Sequence, residues 1–182
     1  VTMPVAVAIV WRMLYNGDYG IINQALGLIG IDGRSWLTDA DTALIAVAAV
    51  GIWGGLGTSI VIFLAGLQGI PPSLLEAASL DGAGPVRTFW SVTVPLLTPS
   101  IFFVTVLHVI GSLQVFDLLF IMIGPASPMT PRTRSIVMLF YQAGFLENDR
   151  GYAAAIAVVL LILILTLTVL QFGLQRRWVH YG

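Results

Sequence analysis

The sequence predicts an all-α, polytopic membrane helix bundle, and three observations carry that prediction. Of 182 residues, 58% are hydrophobic and only 9% are charged, against about 25% charged in soluble domains. Mean hydropathy is +0.95. The charges fall in clusters that leave uncharged runs of membrane length between them, such as Thr42 to Leu75. A soluble α/β protein would instead show short, β-branched apolar runs separated by charged helices.

Four hydrophobic segments follow in order. The first, Val1 to about Tyr15, is shorter than the ~20 residues a span requires and reads as a truncated helix. The chain opens inside an apolar run with no charged leader, so it reads as a fragment and not as a signal peptide. A polar connection, residues 16–41, carries Asp18, Asp32, Arg34, Asp39 and Asp41 around one apolar patch at Ile21 to Ile31, with Trp36 as a candidate interface marker. The second segment, about Ala43 to Leu67, would be roughly 37 Å long as a helix, enough to cross with tilt. Its Gly51, Gly54, Gly55 and Gly57 suit close helix packing. A third span is expected from about Ser100 to Ile123, with Asp117 near its end. A second polar connection, 124–151, is broken by Pro125, Pro128 and Pro131. The last span, about Tyr152 to Leu174, is closed by Arg176 and Arg177.

Composition excludes several functions. A net charge of −1 argues against a nucleic-acid partner, because neutralising phosphates requires a basic face. All eight basic residues are Arg. Without Lys there is no P-loop, so any ATP that drives this protein must be bound by another chain. Without Cys there are no disulfides or thiolate metal sites, and His108 and His180 lie too far apart for metal-ligand spacing. No metal or cofactor is expected, and His108 reads as a hydrogen-bonded packing residue. Arginine lies on both sides of the alternating spans, so charge alone does not orient the chain.

The informative connection is residues 69–98, G-I-P-P-S-L-L-E-A-A-S-L-D-G-A-G-P-V-R-T-F-W-S-V-T-V-P-L-L-T. Pro71 and Pro72 break the preceding span, and Ser73 with Glu76 forms an S-x-x-E capping box. Gly82 suits a left-handed helix end, and Pro85 suits the first turn of a second helix that Pro95 ends. The prediction is a helix, a bend and a helix. Asp81 stands where the first helix dipole disfavours a negative charge, which calls for a partner, either Arg87 or a group on another protein.

The stretch E-A-A-S-L-D-G-A, followed by Phe89 and Pro95, resembles the EAA loop of binding-protein-dependent ABC importer permeases. The resemblance extends to W-x-x-L-Y-N-x-x-Y-G-x-I-N at Trp11 to Asn23, to F-L-A-G-L-Q-x-I-P before the loop and to S-x-x-x-F-D after it. These look like the carbohydrate-uptake branch that includes maltose and glycerol-3-phosphate permeases. The resemblance covers nearly the whole chain and implies one transmembrane permease domain over 1–182, about two preceding spans beyond it, and a bacterial or archaeal plasma membrane location. It implies a cytoplasmic loop whose first helix docks on a separate ATP-binding subunit, with Glu76, Ala77, Ala78, Asp81, Gly82 and Ala83 as coupling residues. Connections 16–41 and 124–151 would then face outward. A second homologous permease subunit, an extracytoplasmic solute-binding protein and membrane lipid are the further partners implied. The sequence departs from its relatives after Asp117, where Ile123-Gly124-Pro125-Ala126-Ser127 replaces a T-x-G-G-P-like turn.

Alternating access driven by the ATPase is the mechanism this resemblance implies, with the permease itself performing no chemistry. Gln114 and Asp117 are the candidate substrate-pathway residues, since polar groups inside spans usually face a cavity or another helix; Ser112 and His108 are weaker candidates. Asp117 also reads, more simply, as a helix cap or a side chain snorkelling to the outer interface. A secondary transporter or channel would need a relay of intramembrane acids, and Asp117 is alone in its span. An intramembrane hydrolase would need a Ser, His and Asp grouping that the spacing does not provide.

Overall fold

The computed structural model describes residues 3–178, and His180 lies outside them. Among the described residues the chain is helical without strands. Its helices are α1 (Pro4–Leu14), α2 (Ile21–Leu28), α3 (Ala43–Gln68), α4 (Pro72–Leu80), α5 (Pro85–Leu96), α6 (Thr98–Leu113), α7 (Asp117–Met122), the single turn α8 (Thr130–Thr133), α9 (Ile136–Leu146) and α10 (Arg150–Trp178).

Helices α3 and α10 each hold 26 residues of span-grade hydropathy, Ala43–Gln68 and Arg150–Gln175, about 39 Å at 1.5 Å per residue. Both match the expected second and last spans. Helix α10 does not stop at Arg176 and Arg177 but continues to Trp178. The third span differs from expectation. Helix α6 ends at Leu113, and α7 resumes only at Asp117, so Ser100 to Ile123 is not one helix. A membrane-length apolar path arises instead from α5 and α6 together, bent by 64°.

The chain forms two compact units, one comprising residues up to Leu56 with Gly111–Ile162, the other Gly57–Ile110 with residues from Leu163 onward. The first unit is built on Ala8, Tyr15, Ala46, Val47, Val50, Leu119 and Met122, which bring α1, α3 and α7 together. Ala8 is wholly buried, so its lack of side-chain bulk sets how closely the helices approach. Arg12 Nη1 donates to the Ile121 carbonyl at 3.1 Å, a cation on the last turn of α7. Trp11, Tyr15, Trp36 and Trp53 extend this core as a chain of ring contacts at 5.5 to 5.8 Å.

Connection 16–41 is organised by Asn23. Its Nδ2 donates to the carbonyls of Gly17 (3.0 Å) and Arg34 (2.9 Å), while its Oδ1 accepts from Arg34 N (3.2 Å) and Trp36 Nε1 (2.7 Å). One amide thus satisfies both ends of the loop, and Trp36 is fixed by Asn23 and Tyr15. Gly20 is obligatory for space, since a Cβ there would lie 2.3 Å from the Asn16 carbonyl oxygen. The Trp11 to Asn23 motif therefore supplies Trp11 and Tyr15 of the ring chain, a turn in which Asn16 Oδ1 accepts from Asp18 N and Tyr19 N, and this amide clasp.

Connection 124–151 is less polar in structure than in sequence, because it contains the apolar helix α9. Ser135 caps α9 by accepting from Met138 N at 3.1 Å. Its hydroxyl also donates to the Val115 carbonyl, which the α6 to α7 break leaves free. The end of α9 packs Ala143 on Ala153 and Ile156 of α10. Asn148 takes the left-handed conformation (φ 59) that turns the chain, and Asp149 Oδ1 accepts from Tyr152 N to start α10.

In the second unit α3 and α6 meet at Gly66, where a Cβ would lie 2.4 Å from Ser100 Oγ and 2.9 Å from Leu97 Cδ2. Farther along the same helices His108 Nε2 and Ser59 Oγ are hydrogen bonded at 2.8 Å. Phe102 and Phe172 join α6 to α10 edge to face at 5.2 Å. Within the glycine cluster the packing is seen at Gly51, where a Cβ would touch Leu118 at 3.5 Å, whereas Gly54 and Gly57 have nothing within 4 Å.

Candidate functional site

Residues 69–98 form the expected helix, bend and helix, but the first helix starts differently. Pro72, not Ser73, occupies its first position, with extended Pro71 (φ −60, ψ 128) as the cap residue and no side-chain cap bond. Proline is suited there because its fixed φ is already helical and its missing N–H would have had no partner. Ser73 is thereby drawn into the first turn, and the Ser73–Glu76 capping box does not form.

The end of α4 follows from Gly82. Asp81 is the cap residue, Gly82 has φ +74, and two reverse bonds close the end: Gly82 N to Ser79 O at 3.1 Å and Ala83 N to Ala78 O at 3.0 Å. This pairing satisfies carbonyls that a helix terminus otherwise exposes. Gly84 is extended and Pro85 opens α5. Thr88 Oγ1 donates back to Gly84 O at 3.2 Å.

Pro95 does not end α5. The helix widens into a π-turn over Phe89–Thr93, Val94 N bonds to Phe89 O, and Pro95 lies in the helical turn that follows. A regular α-helix would press the proline ring on a carbonyl one turn earlier and waste an acceptor; the wider turn accommodates both. The break comes two residues later, where Leu97 precedes α6 and Thr98 Oγ1 donates to Pro95 O at 2.7 Å.

Helix α4 has no buried residue. Glu76, Ala77, Asp81 and Gly82 are exposed, and Ala78 and Ala83 are half-buried. Among the described residues Asp81 makes no ion pair with Arg87, so its unfavourable place at the helix end is not offset by that partner. The sequence reading missed the apolar side chains presented here: Leu80 is 88% exposed, Val86 73% and Trp90 65%, with Phe89 set edge to face against Trp90. Apolar residues in a polar, proline- and glycine-broken loop were the available signal, but periodicity over such short helices is weak.

The two candidate pathway residues belong to the first unit and flank the helix break. Gln114 follows α6, and Asp117 occupies the first position of α7, where the helix dipole favours its charge. Both are exposed. Ser112 is also exposed, and His108 is engaged with Ser59.

Residues 1–180 match the protein family described as binding-protein-dependent transport system inner membrane component. The chain is 40% identical over 179 residues to the probable ABC transporter permease protein YesP of Bacillus subtilis, covering 97% of this chain and 57% of that protein. It is 36% identical to the multiple sugar-binding transport system permease protein MsmF of Streptococcus mutans, over 94% of this chain and 58% of that one. To the sn-glycerol-3-phosphate transport system permease protein UgpA of Pectobacterium atrosepticum it is 35% identical, over 98% and 60%. This chain thus spans about three-fifths of the length of these relatives. Its fold is shared with a chain of a bacterial ABC transporter crystal structure, described as involved in the import of the acidic polysaccharide alginate, at a TM-score of 0.85, 24% identity and coverage of 96% of this chain and 61% of that one. This chain therefore belongs to the family of binding-protein-dependent transport system inner membrane components, and its Glu76 to Ala83 stretch is the EAA motif of that family.

Proposed function

We propose that this chain is the larger part of a permease subunit of an ATP-binding-cassette importer, moving a sugar or related solute inward from an extracytoplasmic binding protein. A separate ATPase subunit supplies the energy, and a second homologous permease completes the pathway. The observation that carries this reading is α4, a nine-residue helix with no buried residue that ends in a glycine-dependent turn, helix and turn together bearing E-A-A-S-L-D-G-A. An isolated exposed helix of this length is marginal in water, and a partner that encloses it supplies the missing burial.

On this reading Glu76, Ala77, Ala78, Asp81, Gly82 and Ala83 transmit force and do no chemistry. Ala77 offers a flat approach, Asp81 pairs with a cation on the partner, and Gly82 fixes the angle between α4 and α5. Loop 69–98 faces the cytoplasm of a bacterial or archaeal plasma membrane, and connections 16–41 and 124–151 face outward. Gln114 and Asp117 lie on the solute pathway. Relatives named for multiple-sugar-binding and sn-glycerol-3-phosphate transport support a polyhydroxylated solute.

The test is reconstitution of the full-length permease with its ATPase subunits and binding protein in proteoliposomes. Uptake is expected to require internal ATP and to vanish when the ATPase subunit is omitted. Uptake that survives that omission and follows an ion gradient contradicts the proposal.

A further inference from the structure

The break between α6 and α7 brings together aromatic residues distant in sequence. Phe116 and Phe120 of the α7 segment contact Tyr141 of α9 at 5.3 and 5.2 Å, and contact each other at 5.2 Å. Phe145 then stacks on Tyr141 at 5.5 Å with only 17° between the rings. Tyr141 is the hub, and Phe145, which also meets Phe140 edge to face at 6.3 Å, is the most exposed of the rings.

Three features distinguish this cluster from ordinary core packing. Helix α9 already has a core face, through Met138 and Ala143, each 1% exposed. The four rings lie off that face: none is fully buried, and Phe145 is 69% exposed. The π-turn over Gln142–Leu146 carries Phe145, and such turns often mark functional positions. Finally, exposed Gln114 and Asp117 flank Phe116 in the chain, and Ser135 ties the start of α9 to the backbone at Val115 between them. Hydrocarbon would be a costly neighbour for those two polar groups.

Flat apolar rings beside a few hydrogen-bonding groups match the surface of a sugar. Its ring C–H groups, polarised by adjacent oxygens, pack on the electron-rich face of an aromatic ring, while its hydroxyls need donors and acceptors at the rim. We propose that Phe145, backed by the stacked Tyr141, forms a stacking platform for a carbohydrate ring, with Gln114 and Asp117 as the polar rim that binds its hydroxyls. This rests on the importer reading above and specifies the solute's chemistry at its candidate pathway residues.

The experiment compares wild type with Phe145→Leu and Phe145→Trp in the reconstituted full-length transporter, using radiolabelled neutral mono- to tetrasaccharides of glucose and arabinose. Leucine keeps the apolar bulk and removes the ring face. The half-saturating saccharide concentration is expected to rise about ten-fold in Phe145→Leu, equivalent to ~1.4 kcal/mol, and to stay within about three-fold of wild type in Phe145→Trp. Emission from the new tryptophan, read as the difference from wild type, is expected to change on saturation with the imported saccharide. Wild-type kinetics in Phe145→Leu, or unchanged emission in Phe145→Trp, overturns the platform while leaving the importer reading intact. Wild-type vesicles that import none of these saccharides overturn the carbohydrate reading and the platform with it.

Discussion

Replacing Gly82 by valine is expected to cut solute uptake at least ten-fold while ATP hydrolysis continues and the permease stays folded. At φ +74 a Cβ clashes with the local backbone, costing about 1–2 kcal/mol for an ordinary L-residue and more for a β-branched one. No heavy atom lies within 4 Å of the added Cβ, so the effect is on backbone conformation and not on packing. Relief of the strain breaks the bonds from Gly82 N and Ala83 N to Ser79 and Ala78, which define the direction of α4 relative to α5. Gly82→Asn provides the control, because asparagine tolerates the left-handed region, and it should retain most of the uptake. Measuring ATP consumed per solute transported separates lost coupling from lost ATPase activity. Full coupling in Gly82→Val would remove this turn from the mechanism.

Gly66→Val is expected to destabilise the second unit. Its Cβ would overlap Ser100 Oγ at 2.4 Å and press on Leu97 at 2.9 Å. Serine can rotate away, but Leu97 is only 8% exposed and has little room. Overpacking of this kind costs about 1–3 kcal/mol, or roughly 2–4 °C per kcal/mol in Tm for a chain of this size. Thermal unfolding in detergent measures it. Ser100→Gly in the same chain should recover part of the loss by removing the nearer clash, whereas independent effects of the two substitutions would rule out this contact as the cause.

Much of the architecture was legible because it depends on local chemistry. Spans α3 and α10 follow from uninterrupted apolar length, and the bend in residues 69–98 follows from Gly82 and Pro85, whose backbone preferences few other residues share. What escaped the sequence depends on alternatives or on distant partners. Pro72 and Ser73 compete to open α4, and the capping-box rule favours the wrong one because it ignores how well a proline fits the first position. Pro95 passes inside α5 only because the preceding turn widens, a distortion with no simple sequence signature. The break at Gln114 to Phe116 relies on Ser135, whose hydroxyl takes the Val115 carbonyl from 20 positions away. The same distance hid the aromatic cluster, since nothing in the chain order pairs Phe116 with Tyr141. At the candidate site the motif residues were readable one by one, whereas the exposure of Leu80, Val86 and Trp90 depends on how α4 and α5 are folded back.

On the proposed function, α4 faces the cytoplasm and engages the ATPase subunit. Residues 1–182 contain no cysteine, so Ala77→Cys, in a full-length permease whose remaining cysteines are replaced, puts a single permease thiol on the exposed surface of α4. The decisive measurement is crosslinking of that thiol in the assembled transporter by a short bifunctional reagent, alongside labelling of intact cells with a membrane-impermeant maleimide. The account predicts a crosslink to the ATPase subunit that is suppressed when this subunit is absent, and no labelling from outside. A thiol that reacts with the external reagent in intact cells, or crosslinks only to the solute-binding protein, would contradict it.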